Sequence, residues 1–412
     1  MRKAAGQNRI IIVFSWILAV IALSSVVIPL ARAQVASISV PNPPQEVAFD
    51  SANGNLYVTD YGRNGSSSVY GDKVSVISGS SNSAAATIGL GGKFGGPYGV
   101  AYDSSNNDIY VADYWDGTVS VISGATNTVL ATVNTGASPS GVGFDSSNGD
   151  VYVTNYGPGT VTVISGSTNQ VIATISIGSH TRPAGVAFDP SNGNVYISDG
   201  NAGKVSVISG STNTVVANVT VGSTPQDMAY DSANGDLYVA DSGGTTVTAI
   251  SASTDAVVAT VSVGQGPWGV AYDSANGNVY VSLSSGVSVI SGSNNEVVQT
   301  LQDNNGPNGL AYDPNNGDIY VADASTSSVG VIQASSASSS STTSTGGSSS
   351  SSSGGGIPEF PYQLLTAVAF TTLVVIAYVV VRLRAPTPAG LRIQRSYSEG
   401  SVIAGYSSYE PQ

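Results

Sequence analysis

Residues 141–177 read GVGFDSSNGDVYVTNYGPGTVTVISGSTNQVIATISI. Four short runs rich in Val, Ile, Thr and Tyr are separated by Ser, Asn, Gly and Pro, so the stretch spells four strands joined by turns. They are A (141–145), B (151–155), C (160–165) and D (171–177). The Asp that closes strand A, Asp145, recurs as Asp50, Asp103, Asp189, Asp231, Asp273 and Asp313, at spacings of 53, 42, 44, 42, 42 and 40 residues. Four strands in 40–45 residues, repeated, is the period of a propeller blade. The runs are apolar on both faces, as expected of sheets sandwiched between neighbours. Tyr57, Tyr110, Tyr152, Tyr196, Tyr238, Tyr280 and Tyr320 share one position in the repeat. Seven identical placements predict packing between blades.

Ring closure is written at the two ends of the repeat. The seventh unit supplies strands A, B and C and then runs into serine. Residues 34–50 align without gaps on 257–273, so Val35–Val40 is predicted to be the missing fourth strand of the last blade. A raw sheet edge would thereby be covered. The expected fold is all-β: a seven-bladed propeller of four-stranded blades over residues 34–333, closed by an N-terminal strand.

The flanks carry other information. Arg2, Lys3 and Arg9 precede an apolar run from Ile10 to Leu30 and the small-x-small Ala31-Arg32-Ala33, so residues 1–33 read as a signal peptide or an uncleaved signal anchor. Residues 334–361 form a Ser/Thr/Gly-rich stalk, suited to O-linked sugar and unable to bury a core. Tyr362 to Val381 is uncharged, and its 20 residues match a bilayer span as a transmembrane helix. Arg382, Arg384, Arg392 and Arg395 follow, which places residues 382–412 in the cytoplasm and the propeller outside, at the cell surface.

Composition narrows the function. The chain of 412 residues has no cysteine, one histidine and a net charge of −13. Disulfides and thiol chemistry are excluded, and general nucleic-acid binding is disfavoured by the acidic balance. The connections D–A and B–C share one face of the ring, here called the top; A–B and C–D share the bottom. All five bases of residues 34–358 (Arg63, Lys73, Lys93, Arg182 and Lys204) fall on top with His180, while the bottom holds thirteen acids. The first unit is 11 residues longer than the second, and both of its insertions are top loops. The expected binding face therefore gathers Arg63, Tyr70, Lys73, Lys93, Tyr98, Tyr114, Trp115, Tyr156, His180, Arg182 and Trp268, groups suited to glycans or to an envelope or matrix protein. The alternative is that they are ordinary solvated loops with packed aromatics.

Asp60, Asp113, Asp199, Asp241 and Asp323 end strand B, but Asn155 and Leu283 interrupt the series. A cation-binding ring and a set of turn caps are both open, and interchangeable Asp and Asn favour caps. No metal, cofactor or catalytic residue is predicted. Asn64 and Asn218 stand in N-glycosylation sequons.

The spelling Tyr152-Val153-Thr154-Asn155 followed by Thr160–Ile164 resembles the YVTN-type β-propeller repeat proteins, common among archaeal surface-layer-like proteins. The resemblance spans about residues 35–333. It implies a propeller and, for function, a surface-layer or adhesion-type scaffold without catalysis. Some related propellers are metal-dependent lyases or lactonases with acids or histidines gathered at the central channel, and the inner strands read as too regular for that. Residues 357–361, IPEFP, resemble the Pro-Glu-Phe motif that opens archaeal C-terminal sorting signals. About thirty residues follow the apolar segment, which favours a retained anchor.

Overall fold

A computed structural model describes residues 34–62, 70–178, 181–303 and 305–333. The signal segment, stalk, transmembrane helix and tail expected from the sequence lie outside these residues, as do Arg63, Asn64 and His180. No helix among the described residues is long and apolar enough to cross a membrane.

Twenty-eight strands form seven antiparallel sheets of four. The first blade is β2 (Val47–Asp50), β3 (Asn55–Asp60), β4 (Lys73–Ser78) and β5 (Ser83–Gly89), and the pattern repeats through the chain. The last blade is β26 (Pro307–Asp313), β27 (Asp318–Asp323) and β28 (Ser328–Gln333), completed by β1 (Gln34–Ser39). The closing strand is therefore the one expected, one residue earlier at each end. Its register pairs Ser37 with Gly330 and Ile38 with Val329, and Val40 N–H extends the ladder to the Ser327 carbonyl at 3.0 Å. Ile38 and Val40 are buried with Val329 and Val331, so apolar burial as well as backbone pairing holds the ring shut.

Burial follows position within the blade. Strands B and C are buried along nearly their whole length, whereas the outermost D strands alternate with solvent. Seven clusters hold the core, and each joins residues of two adjoining blades; Tyr152, Val161 and Val163, for instance, meet Val195, Ile197 and Ile208. The seven repeated tyrosines are all at most 1% exposed. Six reach the next blade: Tyr57, Tyr110, Tyr152, Tyr196, Tyr238 and Tyr320 donate to Asn127, Asn169, Asn213, Asp255, Asn295 and Asn82 in turn. These acceptors sit at positive φ in the C–D hairpins, a conformation Asn and Asp tolerate best after Gly. Tyr280 has no such acceptor among the described residues, because the last blade takes its fourth strand from the N-terminus and has no C–D hairpin.

The repeated Asp at the end of strand A is a turn cap. Asp145 Oδ1 accepts the N–H of Ser147 at 2.8 Å, and the same bond recurs at Asp50, Asp103, Asp189, Asp231, Asp273 and Asp313. The bottom acids thus satisfy hairpin backbone before they do anything else.

Candidate functional site

Two features of the top face depart from the repeat. The first is aromatic. Tyr61, Tyr70, Trp115, Tyr114 and Tyr98 form a closed circuit of rings, with successive centroids 5.2, 5.2, 4.8, 5.8 and 5.3 Å apart. The contacts range from tilted to edge-on, the arrangements that ring quadrupoles favour. Tyr156 adjoins Tyr114 at 6.2 Å, and the Arg182 guanidinium lies over Tyr156 at 5.3 Å, within cation–π range. Trp115 is 45% exposed.

Local sequence builds this patch. The B–C insertion of blade one carries Tyr70 to the rings. The D–A insertion is folded by acids: Asp116 accepts the N–H groups of Lys93, Phe94 and Gly95, and Asp72 those of Gly91 and Gly92. Gly96 has φ +84°, and a Cβ there would lie 2.5 Å from Trp115 Cδ1, so glycine is what lets the indole seat against the loop.

Of the residues expected on this face, Tyr70, Tyr98, Tyr114, Trp115, Tyr156 and Arg182 come together. Lys93 instead stands over Phe94 at 5.0 Å, and Lys73 is exposed opposite Asp60. Trp268 makes no ring contact with the patch; it opens the inner strand of blade six, elsewhere around the channel mouth. Tyr61 belongs to the circuit and was not expected. Its signal was its place directly after Asp60, where the next two blades carry Tyr114 and Tyr156. Asn218 is exposed on an outermost strand, its side-chain oxygen accepting from Ser206 at 3.0 Å.

The B-strand acids are buried supports, not a ligand ring. Ser75 donates to Asp60, Thr118 and Ser120 to Asp113, and Thr246 and Thr248 to Asp241. Asn155 serves by the reverse polarity, donating to Thr160 and Thr162 at 3.1 and 2.8 Å. That exchange explains why Asn is tolerated in the series. Burial pushes the Asp60 and Asp113 carboxyls up to about 7, against the lowering effect of their hydroxyl partners.

The second feature is the channel. Five of the seven inner strands open on Pro-x-Gly-apolar: Pro97–Val100, Pro139–Val142, Pro183–Val186, Pro267–Val270 and Pro307–Leu310. At Gly141 a Cβ would lie 1.8 Å from the Ala184 carbonyl oxygen of the next blade, so close strand approach demands glycine. Blades one and five carry Glu46 and Asp227 instead. The regularity expected of the inner strands is therefore broken, and this corrects the sequence reading: two blade-specific acids face one cavity.

They lean toward each other across blades six and seven. Asp227 Oδ2 accepts the N–H of Val270 in blade six at 2.9 Å, and the Glu46 carboxylate lies against Gly309 of blade seven. Burial raises both carboxyls, Glu46 well above the usual range with the Asp227 charge adding to the effect, and Asp227 to about 6. The cavity between them measures about 200 Å³ and is lined from all seven inner strands, including Tyr98, Gly141, Gly185 and Leu310. Tyr98 also belongs to the aromatic circuit, so the two features meet at one ring.

Comparisons with known proteins agree with the architecture. The NHL repeat family matches residues 94–122 and 304–332, each a stretch leading from a top loop into strand C. The chain is a β-propeller repeat protein of seven four-stranded blades. No curated protein matches it significantly in sequence. Among solved structures, Kuenenia stuttgartiensis Hydrazine Synthase is similar with a TM-score of 0.62 at 16% identity, over 73% of this chain and 99% of that one. At that identity the likeness is one of fold.

Proposed function

We propose that this chain is a YVTN-type propeller held outside the cell by a C-terminal membrane anchor, acting as a non-catalytic surface-layer or adhesion-type scaffold. Its top face binds glycans or a neighbouring envelope protein. The observation that carries this reading is the closed circuit of Tyr61, Tyr70, Trp115, Tyr114 and Tyr98. Flat, rigid apolar faces with hydroxyl edges suit sugar rings, and they cost little side-chain entropy when a ligand docks. The geography supports it too: β1 begins and β28 ends on the bottom, so a stalk leaving there would turn the aromatic face away from the membrane.

A glycan-array screen of the full-length chain tests the proposal. Trp115→Ala is expected to abolish glycan capture while thermal unfolding stays within a few degrees of the parent. Trp268→Ala, which lies outside the circuit, is expected to keep capture. Equal loss in both variants, or none in either, rejects the aromatic circuit as the binding surface.

Glu46 and Asp227 favour a second reading, a propeller enzyme of the metal-dependent lyase or lactonase kind with its site at the channel. Among the described residues no three His, Asp or Glu side chains gather to hold a metal. Hydrolytic or eliminating activity lost on chelation would move this reading ahead of the first.

A further inference from the structure

The channel cavity contains a chemistry the repeat does not need. Five blades carry glycine at the third position of the inner-strand opening, so the repeat itself needs no carboxylate there. Glu46 and Asp227 are additions: two partly buried carboxylates on one cavity, with no Lys, Arg or His among its lining residues. Their protein partners are few. Glu46 Oε1 accepts its neighbour's N–H, Val47, at 3.3 Å, and Asp227 accepts the N–H groups of Val270 and Met228. The Tyr98 side chain lines the same cavity near Glu46, and its hydroxyl has no hydrogen-bond partner among the described residues. Uncompensated negative charge, an unpartnered hydroxyl and an aromatic wall converge on one small space.

We propose that this cavity is a binding site for a compact organic cation bearing N–H donors, an alkylammonium or guanidinium head held between Glu46 and Asp227 with Tyr98 as its aromatic wall. Charge-assisted hydrogen bonds to the two carboxylates supply orientation, and the ring adds cation–π attraction. A volume near 200 Å³ accommodates a head group and a few methylenes, and excludes a folded domain or an oligosaccharide. A hard divalent ion fits less well, since it seeks about six to eight oxygen ligands. Burial and, after it, the Asp227 charge hold the Glu46 carboxyl high; a bound cation favours the ionised form, so binding releases a proton when the pair is partly protonated. The other titratable group lining the cavity is Tyr98, which burial keeps protonated and neutral throughout the range. Tyr98 is shared with the outer rings, but Trp115 does not line the cavity, so Trp115→Ala is expected to leave cation binding intact.

Isothermal titration of the full-length chain with 1,4-diaminobutane near pH 8 tests the inference, with 1,4-butanediol as the neutral isostere and calcium chloride as the hard ion. Diaminobutane is expected to bind, and the diol and calcium are not. Glu46→Gly and Asp227→Gly install the residue that five blades already carry, and each is expected to weaken binding about tenfold or more. Should either fail to fold, Glu46→Gln and Asp227→Asn keep the shape and remove the charge, with the same expected loss. Lowering the pH to about 5 is expected to weaken binding of the parent. Absence of diamine binding at millimolar concentration, equal binding by the charge-removed variants, or calcium displacing the diamine would each overturn the site.

Discussion

The Tyr152 hydroxyl in the third blade donates to Asn213 Oδ1 in the fourth at 2.8 Å, from a ring with no solvent exposure. The bond ties strand B of one blade to the C–D hairpin of the next. Asn148 reinforces it, donating to the Gly210 carbonyl at 3.1 Å. Replacing Tyr152 by Phe keeps the packing and strands the Asn213 acceptor. A loss of about 0.5–1.5 kcal/mol in chemical unfolding is expected. Tyr280→Phe should cost less, since among the described residues that tyrosine has no acceptor in the next blade. Equal losses at the two positions would show that the cross-blade bond is not what the hydroxyl contributes.

The seam offers a direct test of closure. Ser39 and Ser328 are antiparallel partners at the end of the β1–β28 ladder. Directly opposed residues in such a ladder lie about 4.5–5.5 Å apart at Cα, within disulfide reach. The chain has no other cysteine, so Ser39→Cys with Ser328→Cys gives one defined cross-link. Closing so long a loop is worth up to about 4–5 kcal/mol on the chain-entropy account. Calorimetry should find the oxidised double variant melting several degrees above its reduced form. No difference between the two forms would mean the seam opens only after the ring has already unfolded.

Repetition explains why so much of this was legible. The strands, the blade period and the role of Tyr57 and its six counterparts each depend on local turn chemistry and on neighbours of the same kind, so seven copies reinforce one reading. The closing strand was legible because Gln34–Asp50 keeps the register of a D–A passage. What stayed hidden is azimuth. Sequence assigns Trp115 and Trp268 to one face, but it does not say that blades one and two bring Tyr61, Tyr70, Tyr98, Tyr114 and Trp115 into contact while Trp268 opens blade six. Glu46 and Asp227 were hidden for the opposite reason: each is a single departure within a four-residue motif, and only the closure of the ring brings them onto one cavity. Aligning the Pro-x-Gly openings by register, rather than counting charges by face, exposes both.

Glycine at the channel wall has a measurable consequence. Gly141→Ala would place a methyl 1.8 Å from the Ala184 carbonyl, where backbone must move. Gly89→Ala, at the end of an outermost strand, meets nothing within 4 Å. Urea unfolding should find the first variant destabilised by about 1–3 kcal/mol or more, as for overpacked cores, and the second near neutral. Comparable midpoints for the two would mean that the inner strands tolerate wider spacing than the structure gives them.

Stability should also depend on pH in a direction set by the buried acids. Burial pushes the Asp60 and Asp113 carboxyls up to about 7 and Asp227 up to about 6, so the folded state is expected to hold protons that the unfolded chain releases. Stability from these groups is full below about pH 4 and declines as pH rises through 6 and 7. Melting at pH 5 is therefore expected above melting at pH 8, by roughly 5 °C for a domain of this size. Asp60→Asn and Asp113→Asn together should flatten the slope, because Asn155 already fills the equivalent place by donating to Thr160 and Thr162. Ser75, Thr118 and Ser120 can turn to accept in the same way, so the double variant should fold. A melting temperature that rises from pH 5 to pH 8 would place the titration of these carboxyls below the range their burial implies.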